Sequence, residues 1–261
     1  MLKHRVASAV VLAPLFLALV YAEFPYFNFL AAGLAGCMAW EFARMDGKVG
    51  RKRFWLVTAA SVLAVGIMSA GYGWEAVAFV IVAVFALVVS DQMAGRKGVH
   101  MVQIAPAYAA LPTLALLYVM GLGGHVAIFW LLAIVWATDI GAYFCGRLIG
   151  GPKLAPRISP NKTWSGAVGG VVWAVIASSL LLWAFHNEPT VLQGGISILI
   201  SIVSQIGDLF ESKIKRQYNV KDSGSLIPGH GGVMDRFDGL WAAAPMAALF
   251  CAILGGGVQT W

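Results

Sequence analysis

The densest set of reactive side chains in the sequence lies between residues 205 and 238. Asp208 follows a run, 197–207, that carries no charge. On a helix, Asp208, Glu211, Ser212 and Lys215 fall on one face and present two carboxylates, a hydroxyl and an ammonium together. The plainer reading of Glu211 with Lys215 is an ordinary i,i+4 pair. Lys221 and Asp222 then lead into Pro228, Gly229, His230, Gly231 and Gly232, followed by Asp235, Arg236 and Asp238. Glycines leave backbone amides able to turn toward an anion without side-chain obstruction, as in a phosphate nest. Lys215, Arg216, Lys221 and Arg236 supply cations for phosphoryl oxygens. Asp208, Asp235 and Asp238 supply hard oxygen ligands suited to Mg2+, with phosphate completing the shell. Acids and bases in one glycine-rich segment point to metal-assisted phosphate chemistry, whereas a purely cationic cluster would point to anchoring on anionic lipid. His230 is expected to position phosphate and not to act as a base, because a phosphate monoester oxygen is already charged at neutral pH.

Two upstream segments add to this set. Asp139, Tyr143 and Arg147 recur at i, i+4 and i+8, so one helical face carries acid, hydroxyl and guanidinium. A carboxylate on a membrane helix costs about 2.5–3.5 kcal/mol near mid-bilayer. It therefore usually faces a polar cavity or a partner, and a simple Asp–Arg pair near the helix end is the competing reading. The segment Ser159, Pro160, Asn161, Lys162, Thr163, Trp164, Ser165 places hydroxyls and an ammonium just before a helix. Two readings stay open there, a phosphate at the helix N-terminus and a hydroxyl helix cap beside a boundary tryptophan. Residues 146–151 lack the Gly-Lys-Ser/Thr ending of a Walker A loop, which disfavours an ordinary nucleotide hydrolase.

The elements that must carry these side chains are apolar. Of 261 residues, 60% are hydrophobic and 11% charged, against the roughly 25% charged residues of a soluble domain. A water-facing shell cannot be made from so few charges. The apolar runs 6–22, 26–43, 54–71, 74–90, 104–120, 125–145, 166–185, 192–210 and 238–258 are each near the ~20 residues needed to cross hydrocarbon. Continuous runs, not the alternation of a barrel, predict helices. The sequence thus predicts an all-α, polytopic integral membrane protein with about nine transmembrane helices. Pro106 and Pro112 predict a tilt or break in the fifth run. The first run follows Lys3, His4 and Arg5 but ends without a small-x-small cleavage site, so it is read as a retained helix. Cys37, Cys145 and Cys251 lie in separate runs, without metal-ligand spacing.

The charges sort by side. With nine crossings all 18 Lys and Arg residues fall before the first run or after the second, fourth, sixth and eighth. The connections 21–25, 72–73, 121–124 and 186–191 hold none. The positive-inside rule then predicts a cytoplasmic N-terminus and a cytoplasmic location for the long polar connections. Net charge of +6 is therefore read as topology and not as a nucleic-acid footprint. Residues 1–124 are read as N-terminal membrane helices, and 125–261 as a catalytic membrane region with cytoplasmic loops.

Ser212, Lys215, Arg216, Lys221, Asp222, Pro228, Gly229, His230, Gly231, Gly232, Asp235, Arg236 and Asp238 stand in an order and spacing that resemble the signature of the phosphatidate cytidylyltransferases, or CDP-diacylglycerol synthases. Thr138, Asp139, Ala142 and Tyr143, with 159–163, resemble that family's upstream motifs. The resemblance implies attack of the phosphate of phosphatidic acid on the α-phosphorus of CTP, giving CDP-diacylglycerol and pyrophosphate at the inner (plasma) membrane. It further implies a homodimer and an Mg2+-dependent site with Asp208 and Asp235 as metal ligands. Ser212, Lys215, Arg216, Lys221 and His230 would hold substrate phosphates, with Asp139, Lys162 and Thr163 contributing. Tyr143, Gly231, Gly232, Arg236 and Asp238 complete the expected substrate-binding set. Two other readings are a CTP-dependent lipid or polyprenol kinase, which would release CDP, and a transporter of a phosphorylated solute, which would consume no CTP.

Overall fold

A computed structural model of the chain describes residues 2–45, 50–95, 101–227 and 231–261. Helices α1 (Leu2–Tyr21), α2 (Tyr26–Met45), α3 (Arg51–Ser69), α4 (Gly73–Met93) and α5 (Met101–Leu148) come first. A small antiparallel hairpin, β1 (Lys153–Ala155) and β2 (Ser159–Thr163), pairs Lys153 with Thr163 and Ala155 with Ser159. Helices α6 (Trp164–Ala184), α7 (Val191–Gln217) and α8 (Met234–Leu254) follow, and a 3-10 turn, Val258–Thr260, closes the chain. The fold is all-α and polytopic apart from that hairpin. Among the described residues, six helices are long and apolar enough to cross a membrane: Arg51–Ser69, Gly73–Met93, Val102–Leu148, Trp164–Ala184, Val191–Gln217 and Met234–Thr260.

The exterior of these helices is that of a protein dissolved in lipid. Trp74, Phe85, Leu180 and Ile253 are well exposed, and no water-facing globule could leave so much apolar surface uncovered. Within hydrocarbon each backbone amide needs an internal partner, which helices supply. Prolines 106 and 112 do not break α5; its one non-helical residue is Gly124, at φ 56° and ψ −160°. A proline removes a single amide donor, whereas this backbone conformation is one that glycine adopts without a Cβ penalty.

The chain forms two compact units, Met1–Leu117 with Asp222–Arg236, and Tyr118–Lys221 with Phe237–Trp261. In the first, α2 packs on α3 and α3 on α4. Buried Asp91 of α4 is ion-paired with Arg53 of α3 and accepts from Gln103 Nε2 of α5 at 2.6 Å. In the second, α6 packs on α7, and serine and threonine side chains tie the helices. Thr138 and Ser201 hydroxyls are 2.7 Å apart, and those of Ser178 and Ser197 2.9 Å apart. A capping box of Thr190 and Gln193 starts α7, satisfying amides that a helix start would otherwise leave orphaned.

Candidate active site

In the unit of residues 118–221 and 237–261, the polar end of α7 is a continuation of the apolar helix and not a loop. That continuation puts Asp208 and Ser212 one turn apart, and the Ser212 hydroxyl donates to Asp208 Oδ1 at 3.3 Å. The other oxygen of Asp208 takes the ammonium of Lys162, which β2 delivers from the hairpin. Next to Lys162, the Thr163 hydroxyl accepts from the Gly166 amide at 3.1 Å and so caps α6. Of the two readings of this segment, the cap is the geometry observed. Ser165, in the first turn of α6, donates to the Gly150 carbonyl just past the end of α5.

One turn further along α7, Lys215 Nζ donates to Glu211 Oε1 at 3.0 Å, with the two side chains 11% and 1% exposed. The predicted i,i+4 pair is present but buried, which makes it costly to break. Asp238, in the first turns of α8, lies in electrostatic reach of Asp208 and Asp139, which repel its charge, and of Lys215, which attracts it. Asp139, Lys162, Asp208, Ser212, Lys215 and Asp238, all singled out in the sequence, thus act on one another within this unit. Tyr143 accepts from Arg147 Nη1 at 2.6 Å, and both are exposed. Arg216 donates to the Val220 carbonyl at 3.3 Å, and Arg216 and Lys221 both reach the exterior.

The other compact unit holds 222–236. Asp235, in the first turn of α8, has its carboxylate fixed by main chain: the Ser223 amide lies 3.1 and 2.9 Å from its two oxygens, and the Gly232 amide donates to Oδ2 at 2.8 Å. Gly231 adopts φ +86°, and a Cβ there would sit 2.8 Å from Asp235 Oδ2. The residue preceding the tight approach therefore has to be glycine for two reasons, conformation and space. The Gly232 amide, expected from sequence to face phosphate, faces this carboxylate. Arg236 is exposed. His230, with Pro228 and Gly229, lies outside the described residues.

Sequence reasoning passed over Glu41, near the end of α2 in the same unit. Its carboxylate is fully buried. It accepts from the Ser223 hydroxyl at 3.1 Å, the Val233 amide at 2.9 Å and the Met234 amide at 2.8 Å. The only advance signal was a single acid within an apolar run.

Each within its own unit, Asp208 and Asp235 offer carboxylate oxygens, the hard donor type that Mg2+ takes, and Asp208 is paired with one cation, the Lys162 ammonium.

The sequence model of the cytidylyltransferase family matches residues 3–254. The chain belongs to that family. It is an enzyme of nucleotidyl transfer embedded in a membrane. A phosphatidate cytidylyltransferase of Brucella suis biovar 1 (strain 1330) is 41% identical over 264 residues, covering 97% of this chain and 94% of that one. The protein of the same name from Brucella abortus biovar 1 (strain 9-941) shows the same identity and coverage. One from Pseudomonas aeruginosa is 34% identical over 273 residues, covering 98% and 99%. The site segments described above lie inside each of these near-full-length matches.

Proposed function

We propose that this cytidylyltransferase joins CTP and phosphatidic acid into CDP-diacylglycerol and pyrophosphate. The observation that carries the reading is near-full-length identity of 34–41% to relatives named phosphatidate cytidylyltransferase. A lipid phosphate oxygen forms a bond to the α-phosphorus of CTP as the bond from that phosphorus to the oxygen bridging to the β-phosphorus breaks, and the electron pair leaves with pyrophosphate. No covalent intermediate on the protein is needed.

Asp208 and Asp235 would hold Mg2+, which supplies charge neutralisation on phosphoryl oxygens. The chain's own part is positioning and electrostatics. Lys162, close by on the hairpin, offers its ammonium to a substrate phosphate in exchange for Asp208. Exposed Arg216, Lys221 and Arg236 reach for the outer phosphates. Lys215, Ser212, Asp139, Tyr143, Thr163, Asp238 and His230, with the tight turn at Gly231 and Gly232, complete the proposed substrate site. Residues 125–261 supply most of this chemistry, and 1–124 serve mainly as membrane helices.

The same reading takes α5 as two crossings joined at Gly124. At 1.5 Å per residue its 48 residues would span about 70 Å, more than twice the ~30 Å hydrocarbon core. With α1 and α2 counted as spans the reading has nine crossings, and the charge distribution supports a cytoplasmic N-terminus and active site at the inner (plasma) membrane. The active form is taken as a homodimer.

The test is purified full-length protein with CTP, phosphatidic acid and Mg2+, followed for CDP-lipid, pyrophosphate and CDP. CDP-diacylglycerol with equimolar pyrophosphate is expected. CDP with a newly phosphorylated lipid would replace the reading with a kinase, and no consumption of CTP across lipid and detergent conditions would reject it.

A further inference from the structure

We infer that Glu41 is a positioning residue of the reaction, an acid from the N-terminal helices that holds the 222–236 stretch and thereby aims Asp235. The inference rests on the proposed function and names a residue outside the signature segments.

Among the described residues, no cation is a hydrogen-bond partner of the buried Glu41 carboxylate. Glu41 is fully buried, and its partners are the two main-chain amides of Val233 and Met234 and the hydroxyl of Ser223. A carboxylate held in this way needs those donors, because a buried charge without partners is strongly unfavourable. The dependence also runs the other way. Met234 begins α8, and the first amides of a helix have no intrahelical acceptor. Glu41 supplies that acceptor from a distant part of the sequence, where a helix normally uses a neighbouring side chain.

The geometry links this contact to Asp235. Ser223 gives its hydroxyl to Glu41 and its amide to Asp235. Gly232 gives its amide to Asp235, and the next two amides go to Glu41. The two carboxylates therefore hold the same two backbone segments through neighbouring donors. A Cβ at Gly232 would lie 2.5 Å from Glu41 Oε2 and one at Gly224 2.8 Å from Oε1, so the loop closes on Glu41 without room for a side chain at either position. Loss of the Glu41 contact releases Ser223 and the start of α8, and with them the donors that orient Asp235. Groups that orient a metal-binding carboxylate typically change metal affinity or activity by about 10- to 100-fold when removed.

Glu41→Gln is the discriminating variant. Whichever way the amide turns, its NH2 replaces one of the two oxygens and faces either the Val233 or the Met234 amide, so one N–H loses its acceptor. Two readouts are needed in the full-length chain: Mg2+-dependent turnover per folded molecule, and hydrogen exchange across 222–236 without Mg2+ or substrate. Expected are turnover lowered by about 10- to 100-fold with a higher Mg2+ half-saturation, and exchange of the Val233 and Met234 amides faster by about tenfold or more. Ser223→Ala, which removes one donor and leaves the charge in place, is expected to move both readouts in the same direction by a smaller factor. If Glu41→Gln does not fold, Ser223→Ala decides by the same two readouts. Unchanged exchange overturns the hold on the loop. Faster exchange with unchanged turnover and Mg2+ half-saturation overturns the positioning role. A wild-type chain that makes no CDP-lipid fails the functional reading itself, and that failure appears before any variant is compared.

Discussion

Asp208 and Asp235 are the same residue type proposed for the same task, yet among the described residues the hydrogen bonds that hold them differ in kind. Asp208 is met by side chains, the Lys162 ammonium and the Ser212 hydroxyl. Asp235 is met by main chain, the amides of Ser223 and Gly232. An ammonium on a flexible stem can leave a carboxylate and transfer to a phosphate. Backbone amides cannot leave without undoing the loop. The contrast separates an exchangeable acid, ready to trade its cation for metal and substrate, from an acid whose direction is built into the fold.

The largest expected effect tests what the two share. Asp208→Asn and Asp235→Asn should each lower turnover by more than about 100-fold while the protein still inserts and folds, as measured by CDP-lipid formation in purified protein. Full retention at either position would remove that residue from the metal role. The next effect breaks the symmetry. Lys162→Met should cost about tenfold or more in turnover, with part recovered by Lys162→Arg, and leave hydrogen exchange across 222–236 as in the wild type. A change in that exchange would show that the two acids are not held independently. On the Asp235 side, Gly231→Ala forces a Cβ into a left-handed backbone, with a cost of about 1–2 kcal/mol in stability; denaturant or thermal unfolding reads it. The smallest is Thr163→Ala, which removes the α6 cap and should cost about 1 kcal/mol, with Thr163→Ser retaining most of it.

Much of the helical scaffold was legible because apolar runs announce themselves. The run 26–43 corresponds to Tyr26–Met45, and the run 166–185 to Trp164–Ala184. Helix ends that carry charge were less so. α7 continues to Gln217 and α8 begins at Met234, because helices keep their hydrogen bonding after the apolar pattern stops. The side-chain sets on single helices were readable by spacing, as the Asp208–Ser212 and Glu211–Lys215 contacts show. The hairpin was not, since β1 is only three residues long and has no alternating pattern. Nor was the pairing of Lys162 with Asp208, 46 residues apart, or the role of Glu41, whose partners lie 182–193 residues away. Local periodicity carries no information about contacts of that range. The grouping of 222–236 with the N-terminal helices has the same origin.

The span between Glu41 and its donors also sets a clock. Ser223 is made 182 residues after Glu41, and synthesis at ~5–20 residues per second puts it there roughly 10–40 s later. Throughout that interval α2 exists without the amides that its acid requires, so the nascent chain carries either a protonated glutamic acid or one still open to water. Closing of the cradle is among the last events in the making of this protein, and an enzyme able to bind its metal in the proposed way exists only after it.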